Sequence, residues 1–165
     1  MTQNYPQRKP LRLKGYDYSL PGSYFLTICT KDRRPILSRI SGFDGGGLPE
    51  HTLSVWGKTV DACIKEIPAH YTGVVLEKYV VMPNHIHILL TLPDIEDGAP
   101  GSSRPTELIP KIVSALKRLT NRSAGIDLWQ SSYMDHVIRD DADFQNHWNY
   151  IEHNPFRWAE DEYYL

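Results

Sequence analysis

The chain has 165 residues, 41% of them hydrophobic and 23% charged, which is typical of one compact domain with a real core. Its net charge of −2 argues against a protein that coats nucleic acid through bulk positive charge. No apolar run approaches the roughly 20 residues that cross a bilayer, and we find no apolar core of a signal peptide. The two cysteines, Cys29 and Cys63, are expected to be buried free thiols, which suits a cytoplasmic protein.

The charge is unevenly distributed along the chain. Residues 1–125 carry 16 Lys and Arg against 11 Asp and Glu, whereas residues 126–165 carry 2 against 9. A chain polarised in this way can hold a local basic groove while it stays acidic overall. Residues 1–14 contain basic residues and no acid, so they form either an extended basic arm or a solvated tail. The basic residues of this arm are Arg8, Lys9, Arg12 and Lys14.

The next predicted elements are a strand, a loop and a helix. Residues 24–30 are rich in β-forming side chains and predict a strand. Residues 41–50 contain three consecutive glycines and predict a flexible loop. Apolar residues recur at helical spacing over residues 53–67, and Pro68 is expected to end this helix.

Two apolar runs, residues 74–82 and 85–92, predict a β-hairpin with its corner at Pro83-Asn84. Side chains two apart in a strand share a face, so His85 and His87 project the same way, about 7 Å apart at Cα. A metal ion or a phosphate could reach both from there. The pattern alone also fits two ordinary surface histidines, because polar residues alternate along any half-buried strand.

A flexible connector over residues 93–105 leads to a helix over residues 108–122 with its apolar residues on one face. The opposite face is basic, and it is either solvated or contacts phosphates without reading bases. The basic residues are Lys111, Lys117, Arg118 and Arg122. Residues 128–138 predict a loop that leads into a short strand.

Asp140-Asp141-Ala142-Asp143 can cap a final helix that ends near Asn154, directly before a proline. Tyr150 and Asn154 lie one turn apart and point the same way. Two neutral imidazoles and an amide oxygen can hold Mn²⁺ or Mg²⁺, and such an ion withdraws charge from a phosphodiester that a tyrosine attacks. The ligand set predicted in this way is His85, His87 and Asn154, with Tyr150 as the nucleophile.

Three blocks of sequence occur in a characteristic order. They are Val81-Met82-Pro83-Asn84-His85-Ile86-His87, Trp129-Gln130-x-x-Tyr133-x-Asp135-His136-x-Ile138-Arg139 and Tyr150-Ile151-x-x-Asn154-Pro155. In this order the chain resembles the single-tyrosine transposases of bacterial insertion sequences, which belong to the HUH nucleases (His, a bulky apolar residue, His). It is most similar to the REP-associated tyrosine transposases, which act on short palindromic repeats. Segments 12–16 and 24–27 also resemble the corresponding segments of this family, so the resemblance covers nearly the whole chain.

The resemblance implies a single α+β domain over residues 1–165, with an antiparallel sheet of about four or five strands packed by helices in a ferredoxin-like HUH nuclease fold. It implies metal-dependent cleavage, with rejoining possible afterwards, of single-stranded or hairpin DNA through a 5′-phosphotyrosine. His85 and His87 match the family's metal ligands, Tyr150 its nucleophile, and Asn154 its third ligand, where many members have glutamine. Family members are often homodimers, with a monomer as the alternative, and their sites form within one chain or between two. The basic arm and the basic helix face are the expected DNA contacts.

Two other functions and one other nucleophile compete with this interpretation. A histidine-pair nucleotide phosphoesterase of the triad kind needs a third alternating histidine, where this chain has Leu89. A domesticated, non-catalytic hairpin-DNA-binding protein would bind without cutting. Tyr133 is the rival nucleophile, because it precedes Asp135-His136. His136 and His147 are possible extra ligands, and Trp129 and Trp158 either stack on bases or belong to the core.

Overall fold

The computed structural model describes residues 22–42, 48–92, 94 and 105–164, with side chains from residue 108 onward in the last range. The strands are β1 (Gly22–Cys29), β2 (Ser38–Ser41), β3 (Glu50–Leu53), β4 (Val75–Val81), β5 (His85–Leu92) and β6 (Met134–Val137). The helices are α1 (Val55–Lys65), α2 (Ile67–His70), α3 (Pro105–Ala124) and α4 (Asp141–His153). The predicted basic arm lies outside the described residues, as do most of the two predicted flexible loops.

Four strands form one antiparallel sheet in the order β4-β5-β1-β6. Helix α1 lies between β1 and β4 in the chain, and α3 lies between β5 and β6. This β-α-β-β-α-β sequence is that of ferredoxin-like folds. The expected α+β fold with an antiparallel sheet is therefore confirmed.

Helices α1 and α3 cover one face of the sheet. Strand β5 sends every second side chain into this layer, where Ile86, Ile88 and Leu90 are fully buried. Helix α1 contributes Val60 and Ile64 to the same cluster. The cluster is aliphatic in its centre, and α3 adds Leu108, Ile109, Ile112, Val113 and Leu116. This layer is the main core of the domain.

Helix α4 and the segment after it cover the opposite face. Ile151 is buried there against Leu89 and Phe25, and Phe144 and Trp148 of α4 pack at the border of the same cluster. Phe144, Trp148 and Ile151 thus form the apolar stripe of α4. Because both faces are covered, β5 is buried along nearly its whole length.

The structure differs from the sequence-based expectations in two places. Helix α1 ends at Lys65, and Pro68 lies in the first turn of α2 instead of ending a single helix, since proline is well tolerated there. The predicted loop over residues 41–50 is bounded by two paired strands, in which Ser41 faces Glu50. These strands are short and mostly polar, so hydrophobic periodicity gave no sign of them. Among the described residues, no helix is both long and apolar enough to cross a bilayer.

Candidate active site

His85 and His87 lie at the start of β5, beside the corner of the hairpin. They are opposite Cys29 and Thr27 of β1, and both are buried, with 0% and 1% of their surface exposed. Their ring centroids are 4.5 Å apart. The interpretation as two surface histidines is therefore wrong, because α4 and the following segment cover this face.

Each imidazole uses its Nδ1 atom in a hydrogen bond. His85 Nδ1 lies 2.9 Å from Asn84 Oδ1, and His87 Nδ1 lies 2.9 Å from Thr27 Oγ1. Asn84 Nδ2 donates to the Tyr163 carbonyl at 2.7 Å, so Asn84 Oδ1 is the acceptor on the other side. His85 accordingly carries its proton on Nδ1 and leaves the lone pair of Nε2 free.

Both imidazoles are neutral at neutral pH in the metal-free chain. Burial lowers the pKa of His85 to about 4, against an opposing effect of the Asp161 carboxylate. Burial, with the neighbouring His85, holds the pKa of His87 well below its usual range. Neutral imidazole is the form that binds metal ions.

Asn154 follows the last turn of α4 and is 3% exposed. Its Nδ2 donates to Asp161 Oδ2 at 2.8 Å, and Asp161 Oδ1 accepts from the Tyr163 backbone N–H at 2.8 Å. The Asn154 amide also raises the pKa of His85 and lowers the pKa of Tyr150, but both effects are smaller than the effect of burial. Asp161 therefore fixes which way the Asn154 oxygen points.

Three polar atoms at this place are buried without a hydrogen-bond partner. They are His85 Nε2, His87 Nε2 and Asn154 Oδ1. An unpaired buried polar atom costs about 1–3 kcal/mol, and three in one place require an explanation. His85 Nε2 and Asn154 Oδ1 carry lone pairs, and His87 Nε2 does so when His87 Nδ1 donates to Thr27 Oγ1, so a cation suits the three atoms.

Tyr150 lies beside the histidines in the same chain. Its ring centroid is 5.2 Å from that of His87 and 6.0 Å from that of Phe25, and 39% of the residue is exposed. Burial raises the pKa of the Tyr150 hydroxyl to about 12, with a further raising effect of the Asp161 and Glu162 carboxylates. The side chain separates a cleft of about 360 Å³ that includes His87 from one of about 670 Å³ that includes Asn154.

Helix α4 is fixed at its start and along its side. Asp140 Oδ1 accepts from the Asp143 backbone N–H at 2.8 Å, which confirms the predicted cap. Lys78 of β4 pairs with Glu152 and lies 4.5 Å from the centroid of the Trp148 ring. These contacts hold the orientation in which α4 presents Tyr150 and Asn154 to the sheet.

The segment after α4 closes the site and was missed by sequence reasoning. The ring of Tyr163 lies 4.5 Å from His85 and that of Trp158 6.0 Å, between centroids. The guanidinium of Arg33 lies 5.2 Å from the Tyr163 ring centroid. Asp161 and Tyr163 carry no motif in the sequence, whereas Asn84 could have been noticed as the polar residue directly before His85.

The structure places the other candidate residues at different positions. Tyr133 packs against the aliphatic cluster on the face opposite to the histidines, so it lies away from this site. Trp129 and Trp158 are 6% and 7% exposed, which places both in the core and not on a base-stacking surface. His136 and His147 form a separate cluster with Asp143.

The predicted DNA-contacting residues divide into three groups. Arg8, Lys9, Arg12 and Lys14 lie outside the described residues. Lys111, Arg118 and Arg122 are exposed on α3, on the sheet face opposite to the histidines. Lys117 differs, because its ammonium group donates to the carbonyls of Gln130, Ser131 and Ser132 at 2.7, 3.3 and 3.0 Å. These bonds use the three N–H groups of Lys117, which therefore holds the loop before β6. The prediction of a phosphate contact by Lys117 is not supported.

Comparison with known proteins gives three relatives in sequence, and no family model matches. An uncharacterized protein of Haemophilus influenzae is 30% identical over 96% of this chain and 93% of its own length. A candidate REP-associated tyrosine transposase of the same organism is 26% identical over 86% of this chain and 74% of its own length. A REP-associated tyrosine transposase of Escherichia coli is 32% identical over 50% of this chain and 44% of its own length.

A solved structure shares the fold of this chain. It shows a REP-associated tyrosine transposase bound to a REP hairpin, and it matches with a TM-score of 0.63 at 21% identity over 90% of this chain and 75% of that one. The chain is similar in sequence and in fold to REP-associated tyrosine transposases. In this protein the histidine pair, Tyr150 and Asn154 lie close together within a single chain.

Proposed function

We propose that this protein is a REP-associated tyrosine transposase that cuts single-stranded DNA beside hairpins, with Tyr150 as the nucleophile and a divalent cation held by His85, His87 and Asn154. One observation carries the proposal. Three buried, unpaired lone-pair atoms from β5 and α4 meet next to a half-exposed tyrosine of the same chain. A nucleotide phosphoesterase with a histidine pair would have no need for that tyrosine.

The residues present fit a hard or borderline divalent cation. Two imidazole nitrogens and one amide oxygen suit Mn²⁺, with Mg²⁺ as a weaker occupant. Their partners Asn84 and Asp161 orient two of the three ligands, as second-layer residues do in metal sites. Such an ion would withdraw charge from the scissile phosphate. The shorter Asn154, where many family members have glutamine, is held against the site by Asp161.

The reaction is a transesterification by the Tyr150 hydroxyl. Its oxygen forms a bond to phosphorus while the bond from phosphorus to the 3′-oxygen breaks. The 3′-oxygen leaves as a hydroxyl after taking up a proton, and the phenol proton passes to water in the cleft. Because the pKa of Tyr150 is raised to about 12 in the free chain, the hydroxyl is a poor nucleophile without substrate and cation.

The product is a 5′-phosphotyrosine that keeps the energy of the broken ester. A second 3′-hydroxyl can therefore attack it and rejoin the strand without ATP. Rejoining needs the same geometry in reverse, so the site proposed for cutting also serves for joining.

The proposed substrate is DNA with a hairpin next to a single strand. A structural relative is bound to a REP hairpin, which supports the class of substrate. The larger cleft beside Tyr150 is lined by the exposed Phe156, which suits an unpaired base, and by Arg157, which would exchange its bond to Glu160 for one to a phosphate. The basic arm and the exposed cations of α3 are further proposed contacts to the DNA backbone. We also propose a homodimer, although one chain already contains the whole site.

The test is a labelled single strand that carries a hairpin, incubated with protein and Mn²⁺. We expect a covalent protein–DNA adduct that is absent with EDTA and absent in Tyr150→Phe. Tyr133→Phe is the matched control and should still form the adduct. A nucleotide hydrolase would give no adduct, and a non-catalytic descendant would bind the hairpin without cutting it. Either outcome would refute the proposal.

A further inference from the structure

A second group of metal-ligating side chains lies beside the active site. It consists of His136 on β6 with Asp143 and His147 on α4, and we refer to it as the His136 cluster. His136 Nε2 lies 2.9 Å from Asp143 Oδ2, and His147 Nδ1 lies 3.1 Å from Asp143 Oδ1. Two imidazoles thus meet on opposite oxygens of one carboxylate, and the three candidate ligand atoms lie within 4.8 Å of one another.

The two distances between imidazole and carboxylate are close to the spacing that a tetrahedral ion needs. Zn²⁺ binds nitrogen and oxygen at about 2.0–2.1 Å, which puts two of its ligand atoms about 3.3 Å apart. The observed distances of 2.9 and 3.1 Å require only small side-chain adjustments to admit an ion between the groups. His147 Nδ1 also lies 2.8 Å from the backbone carbonyl of Asp143, and it would exchange this bond for the ion.

The surroundings hold the ligands in place and leave access from solvent. The carboxylate of Asp143 accepts from the Arg139 backbone N–H at 3.0 Å, and the two imidazoles stack with centroids 4.6 Å apart. Asp143 and His147 are four residues apart on one helix, so they point to the same side. The side chains are between 20% and 36% exposed, which allows a hydrated ion to enter.

We propose that the His136 cluster binds a zinc-class divalent ion with two histidines and one carboxylate, separately from the cation proposed at His85 and His87. Two histidines and one carboxylate are a known ligand set for Zn²⁺ with an open fourth position. The ion would tie β6 to the first turns of α4, the helix that carries Tyr150. His147 also connects the His136 cluster to the histidine pair, since its ring centroid lies 4.6 Å from that of Phe25 and the Phe25 centroid lies 4.9 Å from that of His87.

Calorimetric titration with Zn²⁺ alone, in the absence of DNA, tests the site. Four proteins are compared: the wild-type chain, His136→Gln, His87→Gln and the double variant. We expect two bound equivalents in the wild type, one in each single variant and none in the double variant. His70→Gln, a change of a histidine on α2, is the matched control and should still bind two. Saturating Zn²⁺ should also raise the Tm of His87→Gln by about 5 °C.

The outcomes separate this proposal from the proposed function. If the site at His85 and His87 held no ion, the wild type would bind one equivalent and His136→Gln none. If the His136 cluster held none, His136→Gln would bind as much Zn²⁺ as the wild type and the Tm of His87→Gln would not rise, which overturns the proposal. Should His136→Gln fold poorly, His147→Gln replaces it in the same titration.

Discussion

The two faces of the central sheet are built from the same strands but differ in their chemistry. Toward α1 and α3, β5 presents Ile86 and Ile88, which are buried among aliphatic side chains. Toward α4, the same strand presents His85 and His87, whose Nε2 atoms are buried without partners. One face removes apolar surface from water, whereas the other leaves polar atoms unsatisfied at a cost in stability.

The difference shows how a small domain can divide stability and function between alternate residues. Side chains in a strand alternate between faces, so a shift of one residue in register would exchange the two sets. The aliphatic face supplies the stability that the polar face gives up. Buried polar atoms without partners are expected at functional sites, where an ion or a substrate satisfies them.

The largest expected effect comes from a change of one residue on the polar face. His87→Gln removes a proposed ligand and should lower the yield of the DNA adduct with Mn²⁺ by about 10³-fold, because a bound ion contributes several kcal/mol to the transition state. The yield is measured on denaturing gels at equal concentrations of folded protein.

The neighbouring residue on the other face provides the matched control. Ile88→Val shortens a fully buried side chain and should lower the free energy of unfolding by about 1 kcal/mol, with the adduct yield per folded molecule unchanged. Equal losses of adduct in His87→Gln and Ile88→Val would show that the two faces are not functionally distinct.

Low pH should destabilise the metal-free protein, because His85 on the polar face is buried in its neutral form. The pKa of His85 is about 4 in the folded chain and about 6.5 when unfolded, so the unfolded state binds more protons between these values. The free energy of unfolding therefore falls as the pH falls through this window. Between about pH 7.5 and about pH 4.5 the expected loss from His85 is about 3 kcal/mol. Urea unfolding in EDTA measures it.

Two variants assign this pH dependence. His85→Gln should lose the contribution of His85, whereas His153→Gln, which changes an exposed histidine of α4, should retain it. An equal pH dependence in the wild type and in His85→Gln would be incompatible with a buried, neutral His85.

The smallest expected effect concerns the orientation of Asn154. Asp161→Asn places an amide N–H₂ or a reoriented oxygen against Asn154 Nδ2, so the Asn154 oxygen loses its fixed direction. We expect the Kd for Mn²⁺ to rise about 10- to 100-fold, as for other second-layer residues of metal sites. Glu160→Gln, an exposed neighbour, is the control. Unchanged Mn²⁺ affinity in Asp161→Asn would show that Asp161 does not orient Asn154 for metal binding.

The sequence predicted the elements whose periodicity is strong. Alternation places His85 and His87 on one face, and helical spacing places Tyr150 and Asn154 on one side of α4. The sequence alone therefore predicts the four residues of the candidate site. Hydrophobic periodicity does not predict the β2–β3 pair, because its residues are mostly polar. Asp161, Tyr163 and the three carbonyl contacts of Lys117 depend on tertiary contacts between distant segments, which leave no local pattern.

Anomalous diffraction from crystals soaked in Mn²⁺ would show whether β5 and α4 of one chain hold a cation between them. We expect a peak within bonding distance of His85 Nε2, His87 Nε2 and Asn154 Oδ1 of the same chain, next to Tyr150. The absence of a peak between these three atoms at saturating Mn²⁺ would refute the shared site.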